Sequence, residues 1–413
     1  MQVAVFHPGT QHSRQTALAL QQLGRLAFLA TGLFDHPGSR IRRMTSALPG
    51  ALSAPLRAEL SRFASRGLDP AKVRAMARYE LPERIASRLG ATELAIRLDA
   101  ALNAAFGRKV AGMAAREGPM VLWGYDGSSE TAFEDPRAAD CYKILDRTMA
   151  DSRSWNEERE RIAETHGDWL GKGSPAWGVN KIAMDDAEFT AADKIVCGSP
   201  FVMDTIRTYS QVEGVADKLE LLPYGFDAAL FGSDVEPAYL PEPEPLRFLF
   251  AGQVSARKGV QHVLEAFDKL PKGSARLTLL GQVAMPGHIL ARYRDTVDIV
   301  GAVPRAQVPA IMREHHALVF PSHNEGSALV LPEAMASGLA IIQTAAAGLG
   351  ASDRSGFVLG RPDAGGVEEA MATLIANRDL LHSMRLAAID EARLRNADSY
   401  RDSIAALLEK LGL

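Results

Sequence analysis

Short apolar runs recur along this chain at helix-length intervals, and that alternation limits the fold more than any other feature. In the first half the runs cover residues 3–6, 26–30, 120–123, 142–145, 195–197 and 219–222. In the second half they cover 248–251, 277–280, 297–300, 317–320, 340–343 and 357–359. Each run is continuously apolar, as a strand covered on both faces must be. Strands separated by helical stretches predict parallel sheets with helices on both sides. At 413 residues the chain exceeds what one compact core holds, so two such sheets are expected. The acidic, proline-rich stretch 236–245 divides the two sets, because it can continue neither a helix nor a central strand. Residues 387–411 carry a helical pattern.

Charge and composition narrow the function. The chain has 46 Lys and Arg against 50 Asp and Glu, which argues against a nucleic-acid partner. No apolar run reaches membrane-spanning length. The start, Met1-Gln2-Val3-Ala4-Val5-Phe6, lacks the basic and long apolar regions of a secretion signal, so a cytoplasmic chain is expected. Cys141 and Cys197 each sit in an apolar run and read as small buried hydrophobes of a reducing compartment. His166 and the pair His315-His316 read as surface or packing residues. One imbalance is local. Between Arg40 and Arg88, basic residues far outnumber Glu59, Asp69, Glu80 and Glu83. With Leu56, Leu60 and Phe63 at near-helical spacing, the segment is either a solvated helix face or a peripheral surface for an anionic membrane at the inner face.

Two segments carry chemistry. In residues 321–338, Glu325 and Glu333 flank a small-residue loop at a predicted strand-to-helix junction. Backbone N–H groups at such a junction cradle phosphate, and the carboxylates accept hydrogen bonds from hydroxyls. Phosphate together with hydroxyls points to a nucleotide sugar. In residues 250–260, Gly252 permits close backbone approach, and Arg257 with Lys258 adds the positive charge that a diphosphate needs. The glycine spacing there fits neither a dinucleotide fingerprint nor a Walker loop. No Asp-x-Asp stands beside a strand to hold a cation, so a metal-free reading is preferred.

Together these segments resemble the retaining glycosyltransferases of family 4. The resemblance rests on Gly252, Lys258-Gly259, Gly301, Pro321-Ser322 and Glu325-Gly326 with Glu333 eight residues after Glu325. It extends to the segment 355–359, the domain-junction segment 223–231 and the strand and serine at 193–199. It implies an α/β, GT-B fold: two doubly wound, Rossmann-like parallel-sheet domains facing across a cleft. Residues 1–225 would bind the acceptor, 226–395 the nucleotide-sugar donor, and 396–413 would form a helix packing back on the first domain. By that resemblance Glu333 would hold the ribose and Glu325 the transferred sugar. Lys258, with Arg257, would neutralise the leaving diphosphate. Gly252, Gln253, Gly301, Gly326, Ser327, Ala328 and Leu329 would line the nucleotide, with no cofactor and no metal.

The chain also departs from that family. Gln253 stands where an arginine is frequent, and Arg257 is the nearest replacement charge. Ala328 stands where glycine is frequent, which tightens the loop. Gly9 is single where a glycine pair is common, and no histidine follows the mid-domain strand, leaving Asp146 or Arg147 for the sugar. Asp126 is either an acceptor contact or an Asx-turn residue. The expected activity is transfer from a UDP- or GDP-sugar to a hydroxyl of a glycan or lipid-linked acceptor, in polysaccharide or glycolipid assembly. The alternatives are an inactive GT-B module that binds nucleotide sugar or glycan, and a GT-B enzyme acting on a non-sugar partner.

Overall fold

The computed structural model describes residues 1–9, 12–36, 63, 67–171, 174–232 and 236–413. Two parallel sheets organise them. The first contains β1 (Val3–His7), β2 (Leu26–Thr31), β3 (Val73–Ala75), β4 (Val121–Tyr125), β5 (Tyr142–Arg147), β6 (Lys194–Cys197) and β7 (Leu219–Leu221). Its strand order is β3-β2-β1-β4-β5-β6-β7. The second contains β8 (Leu246–Ala251), β9 (Ala275–Leu280), β10 (Asp298–Gly301), β11 (Ala317–Phe320), β12 (Ala340–Thr344) and β13 (Gly356–Leu359), in the order β10-β9-β8-β11-β12-β13. The order reverses between β1 and β4 and again between β8 and β11. At such reversals the loops leaving the carboxyl ends diverge and open a crevice.

Side-chain alternation explains how the sheets are covered. On β1, Val3 and Val5 enter one apolar cluster while Ala4 and Phe6 enter the one on the opposite face. Phe248, Leu249 and Phe250 on β8 are fully buried within the core of the second domain. Several helices start on a side-chain oxygen that accepts an otherwise unpaired N–H. Asp151 does this for Ser152–His166, Ser199 for Pro200–Tyr209 and Asn396 for Ala397–Lys410.

The last helix covers the first sheet. Tyr400, Ile404, Leu407 and Leu408 share a cluster with Val3, Val5 and Trp123. Burial of each such aliphatic side chain is worth roughly 1.5–3 kcal/mol. The chain therefore crosses between domains twice, and the crossings touch. Phe226 N–H donates to the Arg395 carbonyl at 3.3 Å, and Phe226 forms a parallel bridge with Asn396. Gly225 fits there because a Cβ would lie 2.6 Å from the Asn396 carbonyl oxygen.

Two expectations need correction, and one open reading is decided. Strand β3 was not apparent in the sequence, because its residues are half-buried or exposed and β2 is its sole strand partner. The described part of the basic segment is accordingly not one helix: Val73–Ala75 is extended and only Leu81–Arg88 is α-helical. Residues 37–62 and 64–66, with Leu56, Leu60 and most of its arginines, lie outside the described residues. The proline-rich stretch 236–245, read as a linker or an exposed connection, is the latter and does not join the domains. It packs on the second one, with Leu240 buried and the Ala238 and Glu244 carbonyls held by Arg385 and Arg378.

Candidate functional site

A cavity of about 460 Å³ opens where the loops after β8, β9 and β11 meet the first domain. Lys258, Glu325 and Glu333 all line it, as do Gly252, Ser327, Ala328 and Leu329. The first domain contributes His12. Gly259 makes the turn that sets Lys258 in place. Its φ is +77°, and a Cβ would lie 1.9 Å from the Pro321 carbonyl oxygen.

Glu325 sits at the bottom of a cationic cradle. Its Oε1 accepts from Lys258 Nζ, from Arg257 Nη1 at 3.1 Å and from Ser322 Oγ at 2.8 Å. Among the described residues nothing bonds Oε2. Burial pushes the Glu325 carboxyl up, but Lys258 and Arg257 outweigh it and hold the group below the usual carboxylate range. Burial pulls the Lys258 ammonium down, and Glu325 opposes that pull. Lys258 also lies over the Phe320 ring, 5.2 Å from its centroid. Arg257 does not reach the cavity. It holds the loop instead, donating from Nη1 to the Asn324 carbonyl at 2.7 Å as well as to Glu325.

Glu333 lies in the first turn of the helix Val330–Ala336 and accepts from Arg305 Nη2 at 2.5 Å. Burial raises its carboxyl above the usual range, with Arg305 opposing. Arg305 is anchored over Phe231 at 5.0 Å, while its side chain is more than half exposed. On the opposite wall His12 stacks on Tyr224, with centroids 3.9 Å apart and planes 13° from parallel. Burial lowers the His12 imidazole to about 4, so it is neutral at pH 7. Sequence reasoning missed both Arg305 and His12. Arg305 follows Pro304 just after β10, and His12 precedes the first helix, positions that a loop-by-loop search of strand ends would flag.

Residues 245–377 match the family described as Glycosyl transferases group 1. The whole chain superposes on HepE from Anabaena in complex with UDP, with a TM-score of 0.62, 13% identity and coverage of 99% of this chain and 100% of that one. It superposes equally on sucrose-phosphate synthase from Thermosynechococcus elongatus, with a TM-score of 0.63, 17% identity and coverage of 100% and 99%. The chain therefore has the GT-B fold, and its second domain carries the sequence likeness to that glycosyltransferase family. In sequence it is 28% identical over 189 residues to a D-inositol 3-phosphate glycosyltransferase of Xylanimonas cellulosilytica. That match covers 41% of this chain and 44% of the relative. A second enzyme of that description, from Pseudarthrobacter chlorophenolicus, is 29% identical over 154 residues, covering 32% and 35%. The matched stretches thus span less than half the length of these relatives.

Within this GT-B frame, several residues expected at the site lie elsewhere. Gln253 borders a separate opening with Gln282 and Met285, because the bridge between Val254 and Val283 turns the chain away from the cavity after Gly252. Gly301 ends β10 behind the wall, and its neighbours Ala302 and Val303 do the lining. The Ala328 N–H is taken by the Ala347 carbonyl at 3.1 Å, so it is no phosphate donor. Gly326 faces the first domain. A Cβ there would lie 1.6 Å from the Thr148 carbonyl oxygen, and its own carbonyl accepts from Ser199 Oγ at 2.5 Å.

The first-domain candidates lie away from this cavity, and internal partners engage Asp146, Arg147 and Asp126. Asp146 is buried between Trp123 Nε1, at 3.1 Å, and the Tyr224 hydroxyl. Arg147 is buried in a bidentate pair with Asp185, at 2.7 and 2.9 Å. Asp126 accepts from Thr148 N–H at 3.0 Å and Thr148 Oγ1 at 2.6 Å, the bland alternative of a loop-fastening aspartate. Gly9 lines a different opening, of about 230 Å³, with His7, Glu80 and Asp99. A neighbouring opening of about 480 Å³ shares its Asp99, Asn103 and Gly127.

Proposed function

We propose that this protein transfers a sugar from a UDP- or GDP-sugar to a hydroxyl of a glycan or lipid-linked acceptor, with retention at the anomeric carbon. The observation that carries this reading is the convergence of Glu325, Lys258 and Glu333 on one interdomain cavity. Residues 226–395 would hold the donor. Residues 1–225, covered by the returning helix 396–413, would hold the acceptor. HepE's UDP and glucose support a nucleoside-diphosphate-sugar donor, and the inositol-phosphate relatives support a polyhydroxylated acceptor.

The chemistry follows from charge. Departure of a nucleoside diphosphate builds negative charge on the β-phosphate. Lys258, held in place through Glu325, is the fixed cation for it, and no metal is needed. Fixed donors of this kind act strongly where water is excluded, each being worth on the order of 10²–10³ in rate. The N–H groups of Ser327, Leu329 and Val330 have no partner among the described residues and would add further donors. Glu325 Oε2 would accept from hydroxyls of the sugar. Glu333 would exchange its Arg305 contact for the ribose hydroxyls. The carboxylates lining the cavity are Glu325 and Glu333, both paired to cations. With the donor bound, Glu325 is engaged by Lys258 and the sugar and Glu333 by the ribose, so the proposed route takes the acceptor proton to the leaving phosphate on the same face of the ring.

An acceptor carried on a lipid would suit the first domain. Leu81, Ile85 and Leu89 stand exposed on and beside the helix Leu81–Arg88. Binding to anionic vesicles should fall as salt rises; no binding at low salt removes the membrane from the proposal.

The decisive test is release of nucleoside diphosphate from UDP-, GDP- and ADP-sugars, with slow hydrolysis standing in for the unknown acceptor. One donor should turn over, and Glu325→Ala should lower that turnover more than tenfold. Neither release nor thermal stabilisation by any donor would overturn the reading.

A further inference from the structure

A second interdomain opening, of about 620 Å³, lies on the far side of the same loop and is lined by His166, His262, Glu265 and His323. The donor-site chemistry uses none of them. His166 ends the first-domain helix Ser152–His166, while His262 and Glu265 lie on the second-domain helix Val260–Lys269. One ring nitrogen from each histidine and a Glu265 oxygen all fall within 4.8 Å of one another. Two imidazoles and a carboxylate are a ligand set suited to zinc and its neighbours in the first transition row.

The hydrogen bonds around the cluster point the same way. His323 Nδ1 lies 2.7 Å from Glu158, so its N–H donates to that carboxylate and its Nε2 carries a lone pair. His323 Nε2 lies 3.0 Å from Gln261 Nε2 and 3.1 Å from His262 Nε2, so His262 Nε2 is tied into this network. His262 Nδ1 stands outside it, buried and without a partner, in a residue only 6% exposed. A polar ring nitrogen left unpaired at that depth is destabilising unless something is bound to it. A carboxylate–histidine chain that fixes the tautomer of the next imidazole is the usual support behind a metal ligand. His166 is held in a similar way. Its Nδ1 lies 2.8 Å from the Thr165 hydroxyl. Its Nε2 lies 2.9 Å from Glu265 Oε1, a pair bridged by a proton that a metal cation can replace. Ligands of a tetrahedral zinc ion are about 3.3 Å apart, given bonds of about 2.0 Å.

We propose that His166, His262 and Glu265 form a site for Zn²⁺ that ties the two domains together, with His323 and Glu158 orienting His262. The ion takes the place of the proton between His166 and Glu265. This site is separate from the cavity at Glu325 and independent of the metal-free transfer proposed there.

The test uses the full chain without an affinity tag, stripped by a chelator and titrated with ZnCl₂ against a chromophoric competitor. Wild type should bind one equivalent below micromolar concentration and melt at a higher temperature once loaded. Co²⁺ in place of Zn²⁺ should give the visible bands of a four-coordinate ion. His262→Gln and Glu265→Gln should each weaken binding about 100-fold, while the exposed His288→Gln leaves it unchanged. Glu265 is about one-third exposed, so its variant folds even where loss of the buried His262 does not. No retained zinc in wild type, or wild-type affinity in Glu265→Gln, overturns the proposal.

Discussion

Replacing Arg147 by methionine should unfold the first domain rather than disable its chemistry. The guanidinium is buried, with both terminal nitrogens on Asp185 at 2.7 and 2.9 Å. It also donates to the Met149 and Ala150 carbonyls at 2.8 and 2.7 Å and lies 3.7 Å from Asp126. Methionine matches its length but leaves Asp185 buried with Lys181 and Ser152 as its remaining partners. Breaking one side of a buried pair costs about 3–5 kcal/mol, a large fraction of the stability of a typical domain. A second signature lies in acid. Burial pushes Asp185 up, but Arg147 and Lys181 overcome it and bring the carboxyl to about 2, below its unfolded value. A depressed carboxylate pKa contributes stability that is complete above about pH 4 and is lost as pH falls toward 2. At 1.36 kcal/mol per unit this amounts to roughly 2–3 kcal/mol. Urea unfolding followed by circular dichroism should show Arg147→Met losing about 4 kcal/mol at pH 7, with a shallower decline in acid. Arg147→Met/Asp185→Leu should recover part of the loss, since no buried charge is then orphaned. A loss below about 1 kcal/mol together with abolished transfer would refute this reasoning and return Arg147 to the substrate.

Three further outcomes are expected. Lys258→Ala should weaken nucleoside diphosphate binding at least tenfold by calorimetry and also lower the melting temperature, since the buried Glu325 keeps only Arg257 and Ser322; equal affinity in the folded variant would remove Lys258 from the site. Gly326→Ala should lower both the melting temperature and turnover, because its methyl would sit 1.6 Å from the Thr148 carbonyl oxygen and force the domains apart; wild-type values for both would show that the contact is dispensable. Burial raises Asp146 to about 7, against hydrogen bonds from Tyr224 and Trp123, so its folded pKa exceeds its unfolded one. Its contribution is then complete below about pH 4 and is lost as pH rises to about 7. Asp146→Asn should flatten stability between pH 5 and 8, and an unchanged slope would contradict the assignment.

What the sequence made legible follows from which interactions are local. Continuous apolar runs marked nearly every strand because burial on both faces leaves a signature within four to six residues. The exception, Val73–Ala75, is an edge strand whose half-buried and exposed residues write no such pattern. The segment 321–338 was legible because Glu325, Ser322 and Glu333 act from one loop and the helix that follows it. Arg305 was not, since its pairing with Glu333 is set by how β10 and β11 flank β8 and β9 rather than by spacing. Gln253 misled for a related reason. A bridge to Val283, distant in sequence, decides which way the residue after Gly252 points.

The placement of the first-domain candidates has a structural logic of its own. Asp146 lies near the carboxyl end of β5, one strand beyond the switch of the first sheet, where a substrate contact is readily sought, yet it bonds Tyr224 at the domain crossing. Tyr125, at the end of the adjacent strand, shares Thr16 with Tyr400 of the returning helix, at 2.5 and 2.8 Å. His12 stacks on the same Tyr224 from the cavity side. The strand ends of this sheet thus fasten both chain crossings, and the polar groups that fasten them are withdrawn from the cleft. Contacts from the first domain to a bound donor must then come from side chains that the crossings leave facing it. His12 is one of these, a neutral imidazole whose ring plane is fixed by Tyr224. Its placement couples what binds in the cavity to the geometry of the crossing. Loss of the Tyr224 ring should therefore disturb donor binding even though that ring does not line the cavity.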